Sequence, residues 1–256
     1  MGTLVINKIN KLVSNWPRGT IYTQVHLSSL GITRENVKKY RKNNWIRNLG
    51  RGAYCLPNDY IDIFSGLNAL QQQLKIPIHI GGKTVIELRG YAQNAAFGHS
   101  KYFLFASPGT VIPKWFLSYD WQCELIIKKS KFLPASEQQS FSEYSQNGVS
   151  VMVSSLERAI LELMYHIPDN QGFLEAGSII EGMQTLRANI LQELLENCRS
   201  VKVNRLCLFF ADRLNLPWFP KLEVSRINLG SGKRVLHPGG KLDKKYLITV
   251  PRDEVI

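Results

Sequence analysis

No apolar run in this chain is long enough to cross a membrane. Its 256 residues are 44% hydrophobic and 20% charged, which is typical of globular proteins, and no stretch approaches the roughly 20 consecutive apolar residues that a bilayer span needs. Polar residues such as Asn7, Lys8 and Lys11 interrupt the N-terminus, so it also lacks the apolar core of a secretory signal peptide. We therefore expect a cytoplasmic protein with no membrane association.

Cysteine is scarce, and neither cysteine nor histidine occurs at a metal-binding spacing. The four cysteines are Cys55, Cys123, Cys198 and Cys207. They form no Cys-x-x-Cys pair, which disfavours both a zinc ribbon and a disulfide framework. The five histidines are equally scattered, without the His-x-x-x-His spacing that aims two ligands at one ion. We expect reduced thiols, no structural metal and no cofactor.

Acidic residues are scarce at both ends of the chain, although the middle has an excess of them. The net charge is +12. Residues 1–56 hold ten basic side chains against one acid, Glu35, whereas residues 57–198 hold ten against fourteen and residues 199–256 hold twelve against five. A small basic block that also bears Trp and Tyr indicates a polyanionic partner such as nucleic acid. The alternative is a charged face that only confers solubility.

Three helices are predicted at the start of the chain. Apolar residues recur at helical spacing over 4–13 and stop before Pro17, because proline disfavours helix at the residue before it. A short second helix ends at Gly31, a residue suited to the left-handed cap. Thr33 is placed to cap a third helix by accepting hydrogen bonds from its free amides. Three helices in about 45 residues are typical of a helix-turn-helix domain.

The spacing of the apolar residues changes after the third helix. Residues 45–49 and 53–56 are predicted to form two short strands joined at Gly50-Arg51-Gly52, where glycine permits the positive φ of a tight hairpin. A hairpin directly after a third helix is a wing. Pro57 ends this hairpin and a new helical pattern follows, so the sequence predicts a winged helix-turn-helix domain over residues 1–58 and a second domain over residues 59–256.

Basic side chains of the third helix and the wing are the candidate DNA contacts. They are Arg34, Lys38, Lys39, Arg41, Lys42, Arg47 and Arg51. Four of those on the helix fall within an arc of about 100°, away from the side that carries Val37 and Tyr40. The major groove admits a helix presented in this way, and arginine can bond guanine bidentately while lysine mostly contacts phosphates. Taken singly, each charge would be an ordinary surface residue.

The remaining residues predict α+β organisation. Strand-like stretches occupy 76–80, 102–106, 123–128 and 149–153, and helices are expected at about 173–183, 186–198 and 201–214. We therefore expect a winged helix-turn-helix followed by a larger mixed α/β domain with a helical cluster. Thr84-x-x-Glu87 and Ser154-x-x-Glu157 match the capping box of a helix start. The polar segment Pro134–Gly148 is predicted to be a mobile loop.

Short strings spread in order along nearly the whole chain resemble one known family. They run from Trp16-Pro17-x-Gly19-Thr20 through Tyr40-Arg41-x-x-x-Trp45 to Gly50-Arg51-Gly52-Ala53-Tyr54, and continue with Gly81-Gly82-x-Thr84-x-x-Glu87-Leu88-x-Gly90-Tyr91-Ala92, Ser154-Ser155-x-Glu157-Arg158-Ala159-Ile160-Leu161-Glu162, Cys198-Arg199-Ser200-Val201-Lys202-Val203-x-Arg205, Gly230-Ser231-Gly232-Lys233-Arg234-Val235 and Lys245-Tyr246-x-Ile248-Thr249-Val250-Pro251. In these strings the chain resembles the AbiEi-type antitoxins of type IV toxin–antitoxin systems.

The resemblance implies a transcriptional repressor encoded beside a nucleotidyltransferase-like toxin. The N-terminal module would bind inverted repeats in its own promoter, and this role falls on the basic residues of the third helix and the wing. The C-terminal domain would oppose the toxin and assist DNA binding. In this family the antitoxin acts without forming a stable complex with the toxin, so the resemblance implies a functional link and no permanent interface.

Basic residues near the C-terminus form a second candidate set. Arg199, Lys202 and Arg205 are spaced by three and are expected to share a helix face, while Lys233 and Arg234 follow a glycine-rich turn. Together they are possible secondary contacts to DNA phosphates. The alternative is that Arg199 and Lys202 belong to two different helices, with Arg199 favoured at the end of the first by the helix dipole.

An enzyme is the alternative to a regulator. Glu223 and Asp243-x-Lys245 have the loose form of a metal-dependent nuclease site, in which two carboxylates hold magnesium. Asp243 follows two glycines, so a charged hairpin explains it better. Gly230-x-Gly232-Lys233-Arg234 lacks the earlier glycine and the final Ser or Thr of a phosphate-binding loop. We expect no enzyme; a winged-helix nuclease and a scaffold that binds no DNA remain the alternatives.

Overall fold

The structure is a computed structural model that describes residues 2–91, 101–134 and 138–252. The helices are α1 (Gly2–Ser14), α2 (Gln24–Ser29), α3 (Arg34–Lys42), α4 (Ile63–Asn68), α5 (Gly82–Leu88), α6 (Lys114–Ser118), α7 (Leu156–Tyr165), α8 (Phe173–Glu181), α9 (Ala188–Glu196) and α10 (Val201–Arg213). The strands are β1 (Tyr22–Thr23), β2 (Arg47–Gly50), β3 (Ala53–Cys55), β4 (Ile78–Ile80), β5 (Lys101–Ala106), β6 (Glu124–Lys129), β7 (Phe141–Gln146), β8 (Val149–Ser154), β9 (Arg234–Val235), β10 (Lys241–Asp243) and β11 (Ile248–Val250). The predicted α+β class, a winged helix-turn-helix followed by a larger mixed domain, is confirmed.

The contacts separate the chain into two compact units. The first consists of Met1–Ile78, Gly109–Glu124 and Glu143–Met152, and the second of His79–Pro108, Leu125–Ser142 and Val153–Ile256. The first unit extends past residue 58, where the sequence predicts a domain boundary, and it takes in two later segments. That boundary therefore stays a prediction.

Three helices and a three-stranded sheet form the winged helix-turn-helix at the start of the first unit. The sheet has the order β1-β3-β2, with both pairs antiparallel and Tyr22 opposite Tyr54. The register shifts between Asn48 and Gly50, where the wing turns. Strand β1 is only two residues long, so no alternating pattern in the sequence could reveal it.

A single cluster of apolar side chains holds these elements together. Its buried members are Ile9, Leu12, Trp16, Leu27, Ile32, Val37, Tyr40, Ile46, Tyr54 and Leu56. Burying each contributes about 1.5–3 kcal/mol relative to exposure. Trp16 stacks on Tyr22 with ring centroids 4.0 Å apart. Because α3 supplies two members of the cluster, its orientation is fixed by the core, and its remaining side chains face outward.

A five-stranded sheet with the order β6-β5-β4-β8-β7 follows in the chain. Strands β4 and β8 are parallel, with Ile80 opposite Val153. Strand β7 and a 3₁₀ turn over Gln138–Ser140 lie where the sequence predicts a mobile loop. That prediction is wrong for the described residues, because Phe141–Gln146 pair with β8 at the edge of this sheet; positions 135–137 lie outside the described residues.

Both predicted capping boxes of the second unit are wrong in detail. Gly81 precedes α5, so Thr84 lies inside that helix and its hydroxyl accepts a hydrogen bond from the backbone N–H of Phe103 at 2.9 Å. Ser155 caps α7 by accepting from the backbone N–H of Arg158. The hydroxyl of Ser154 instead donates to a buried carboxylate. The helical cluster α7–α10 follows, as the sequence predicts, and the small sheet β10-β11-β9 comes after it.

Candidate nucleic-acid interface

The start of α3 is fixed by a reciprocal cap. The Thr33 hydroxyl accepts from the backbone N–H of Asn36 at 3.2 Å, and the Asn36 side chain accepts from the backbone N–H of Thr33 at 3.1 Å. Val37 and Tyr40 are 2% and 0% exposed and anchor the other side of the helix in the core. The cap and these anchors set the rotation of α3 about its axis.

All five basic side chains of α3 lie on the exposed surface. They are Arg34, Lys38, Lys39, Arg41 and Lys42. Among the residues that the structure describes, none of the five forms an ion pair within 4.0 Å. Their charge is therefore not neutralised internally, and it is available to a polyanion.

The wing presents its two arginines differently. Arg51 is exposed in the turn between β2 and β3, with Gly52 at a φ of +85°. Arg47 is also exposed, but its Nη2 donates to the backbone carbonyl of Asp59 at 3.0 Å. One edge of the Arg47 guanidinium is thus held by the protein, and the guanidinium also interacts with the side chains of Cys55 and Tyr119.

An open groove lies between the C-terminal half of α3 and strand β2. Its volume is about 750 Å³. It is lined by Lys38, Arg41, Lys42, Asn44, Ile46, Arg47, Asn48, Pro57 and Asn58. Four cations and three asparagines thus converge on this groove, and none of the described residues that line it is acidic. Such a surface favours an anion that also accepts hydrogen bonds, as a phosphodiester does.

Asp59 positions Arg47 at the edge of the groove. Its carboxylate accepts from the backbone N–H of Gly19 at 2.9 Å and pairs with Arg18 at 3.0 Å. Its side chain is only 2% exposed, while its carbonyl oxygen accepts from Arg47. Sequence analysis did not identify this residue, because a contact 40 positions away in the sequence leaves no local pattern.

The second candidate set divides into two groups. Arg205 is 1% exposed, and its guanidinium donates to the carbonyls of Leu229, Gly232 and Leu247 at 2.7, 2.6 and 3.0 Å. Lys202 donates to two carbonyls at the end of α7. The expectation that Arg199, Lys202 and Arg205 form one exposed phosphate-binding face is therefore wrong for Lys202 and Arg205, whose donors satisfy internal carbonyls.

Three members of that set do lie at the surface. Arg199, Lys233 and Arg234 are exposed. Arg199 lies between α9 and α10 rather than within either helix. This agrees with the alternative in that Arg199 and Lys202 do not belong to one helix. Lys233 and Arg234 follow the loop that Arg205 holds in place.

The residues of the nuclease alternative are engaged in other contacts. The Asp243 carboxylate accepts from the backbone N–H of Tyr246 at 2.8 Å. Lys245 pairs with Asp212 at 2.6 Å, and Glu223 lies 3.6 Å from Arg226. Over residues 2–91, 101–134 and 138–252, no group of three or more His, Cys, Asp or Glu side chains has the geometry to hold a metal ion.

In the same residues no helix is both long and apolar enough to span a bilayer.

Sequence analysis missed a buried polar cluster around Glu162. Its carboxylate is fully buried and accepts from Ser154 at 2.7 Å, from the backbone of Gly82 at 3.1 Å and from Arg158 at 2.9 Å. His79 lies 2.9 Å away. Burial raises the pKa of Glu162, but these partners outweigh it and hold the pKa below its ordinary value. Gly82 and His79 lie 80 and 83 positions from Glu162 in the sequence, so the cluster holds distant segments of the second unit together.

Comparison with known proteins matches the chain over almost its whole length. Residues 6–97 match the family model described as "Transcriptional regulator, AbiEi antitoxin N-terminal domain", and residues 99–251 match that described as "Transcriptional regulator, AbiEi antitoxin, Type IV TA system". Among solved structures, the chain is similar to the RV2827C protein from Mycobacterium tuberculosis, with a TM-score of 0.64, 12% identity, and coverage of 96% of this chain and 90% of that one. No curated protein sequence matches. The structural likeness shows the shared fold.

Proposed function

Because the chain belongs to the AbiEi family of transcriptional regulators and antitoxins of type IV toxin–antitoxin systems, we propose that it is a DNA-binding repressor of its own operon, acting in the cytoplasm. Residues 1–58 bind inverted repeats in the promoter, and residues 59–256 oppose a nucleotidyltransferase-like toxin without forming a stable complex with it. The protein catalyses no reaction in this scheme, since the candidate nuclease residues Asp243 and Lys245 serve local contacts.

The exposed, unpaired cations of α3 and the groove beside them carry this proposal. In it, α3 enters the major groove, where arginines reach base edges and lysines meet phosphates. Arg47 and Arg51 hold the flanking backbone, and the groove between helix and wing takes one phosphodiester strand. The exposed cations Arg199, Lys233 and Arg234 add weaker phosphate contacts.

The salt dependence of binding tests the proposal directly. A protein that neutralises about six phosphates loses affinity with a log–log slope near −5 as salt rises. We expect this slope for the full-length protein and a duplex from the promoter of its own reading frame, followed by fluorescence anisotropy. A slope near zero would contradict the proposed interface.

Replacing Arg41 with alanine tests the role of α3. We expect promoter binding to weaken about fivefold or more, because a lost base contact costs about 1–3 kcal/mol. Lys221→Ala is the matched control, since Lys221 is equally exposed but lies far from α3 in the sequence. Equal affinity of the Arg41 variant and the control at moderate salt would count against α3 as the recognition helix.

The two proposed roles are separable in the same variant. Co-expression of the Arg41→Ala protein with the nucleotidyltransferase-like product of a neighbouring reading frame should still rescue growth, while repression of a promoter fusion is lost. Failure of the wild-type protein to rescue growth would remove the antitoxin role and leave repression.

A further inference from the structure

Glu35 occupies the most outward position on α3. It is the one acid among residues 1–56, and it is exposed in the first turn of the helix. At 100° per residue it lies roughly 170° around the axis from the midpoint of Val37 and Tyr40, which face the core. Lys38 and Lys39 flank it on either side. The single carboxylate of this basic region is therefore on the line of the helix that projects farthest from the protein.

The reciprocal cap of α3 does not include this carboxylate. In the described part of the chain, no cation lies within 4.0 Å of it, although Lys38 and Lys39 are three and four residues along the helix. Hydrogen bonds from its own backbone N–H and from the Thr33 hydroxyl lower the pKa of Glu35. Asn36 already completes the reciprocal cap with Thr33, so the start of α3 is closed without Glu35.

A carboxylate on this line is unfavourable for binding DNA in general. Duplex DNA carries one phosphate charge per about 1.7 Å of its axis, and each repels the Glu35 side chain as α3 approaches. The cost is offset only where a base offers a hydrogen-bond donor to the carboxylate. In the major groove that donor is an exocyclic amino group, and cytosine N4 is the one that carboxylates commonly accept from.

We propose that Glu35 determines sequence specificity by accepting a hydrogen bond from the exocyclic amino group of a cytosine in the major groove. This inference rests on the proposed DNA-binding function of α3. Glu35 weakens binding to sequences that lack this cytosine. Where the cytosine stands at its position in each half-site, the hydrogen bond offsets that loss of affinity. The surrounding lysines supply affinity, and Glu35 supplies discrimination.

The proposal predicts opposite effects on two kinds of DNA. Glu35→Ala should bind selected DNA more weakly but scrambled DNA as tightly as the wild type or more so, which lowers their affinity ratio by about 5- to 150-fold. Lys39→Ala is the matched control on the same helix, since loss of a phosphate contact weakens both duplexes by a similar factor. A purely structural role for Glu35 would also weaken both together.

Selection from a randomised duplex library tests the proposal even when the operator sequence is unknown. The full-length wild type, Glu35→Ala, Glu35→Gln and Lys39→Ala proteins each select DNA, and the pools are sequenced. We expect one cytosine position per half-site in the wild-type consensus, no preference there with Glu35→Ala, and a shift to adenine with Glu35→Gln, because glutamine pairs with adenine. The nearly isosteric Gln variant remains informative if Glu35→Ala lowers thermal stability.

Two failures of this experiment have different meanings. An unchanged consensus in both Glu35 variants overturns the role of Glu35 and leaves the repressor function intact. A wild-type pool without enrichment overturns DNA recognition by α3, and with it the present inference.

Discussion

Replacing Gly50 with alanine is expected to destabilise the protein, because strand β2 approaches Trp115 too closely for a side chain. A Cβ at residue 50 would lie 2.6 Å from the Trp115 Cβ and 3.1 Å from its Cα. Ordinary contacts of this kind begin at 3.4 Å, so the wing or the Trp115 backbone must retreat by about 0.8 Å. The φ of +156° at Gly50 adds backbone strain.

The expected cost follows from measured effects of overpacking. Inserting a methyl group into a well-packed site costs about 1–3 kcal/mol. For a protein of this size, 1 kcal/mol corresponds to a shift of about 2–4 °C in Tm. At the middle of this range, about 2 kcal/mol, we expect Gly50→Ala to lower Tm by about 4–8 °C in thermal unfolding followed by circular dichroism.

Gly52→Ala is the matched control in the same hairpin. Gly52 also has a positive φ, of +85°, but its added Cβ would lie 3.9 Å from the nearest side-chain atom. This variant carries backbone strain without a clash, and it should lose only about 1 kcal/mol. If Gly50→Ala proves no less stable than Gly52→Ala, the close packing of the wing against Trp115 is not a determinant of stability.

Two further predictions concern buried polar groups of the second unit. Arg205→Met should lower the free energy of unfolding by about 3 kcal/mol in urea titrations, because the buried guanidinium donates to three backbone carbonyls that lose these hydrogen bonds; a loss no larger than that of exposed Arg213→Met would contradict this role. Burial, with Lys128 nearby, holds the pKa of His166 at about 4 against an ordinary 6.5. The unfolded chain therefore takes up a proton that the folded chain refuses, and stability falls as the pH drops from 6.5 toward 4. His166→Phe should flatten that dependence, since its Nε2 has no partner; an unchanged pH profile would refute the assignment.

Errors in predicting the fold have two causes. The first is a weak local pattern: strand β1 is too short to show a period, and β7 is rich in polar residues, which predict a loop. The second is a long-range partner: the Thr84 hydroxyl accepts from the backbone N–H of Phe103 in a neighbouring strand and so does not cap a helix.

Part of the candidate interface could be predicted from the sequence. The spacing of Val37 and Tyr40 identified the buried side of α3, and the exposed basic residues followed from it. The same reasoning failed for Arg205. Helical spacing shows which side chains share a face of a helix, but it does not show whether that face is exposed or buried against another segment. Asp59 and the groove beside Arg47 depend on contacts between residues far apart in the chain.

The sequence by itself determined the three helices, the wing, the basic character of the first 56 residues and the family. The helices, the wing and the charge depend on local periodicity, turn residues and composition, which are properties of neighbouring positions. The family follows from the resemblance of short strings along the chain. The tertiary structure alone decided which cations are available to a ligand. It left those of α3 exposed and without an ion pair to the described residues, whereas it buried Arg205 beside three backbone carbonyls that accept from its guanidinium. Burial and hydrogen-bond demand depend on the packing of distant segments, and no local pattern contains that information.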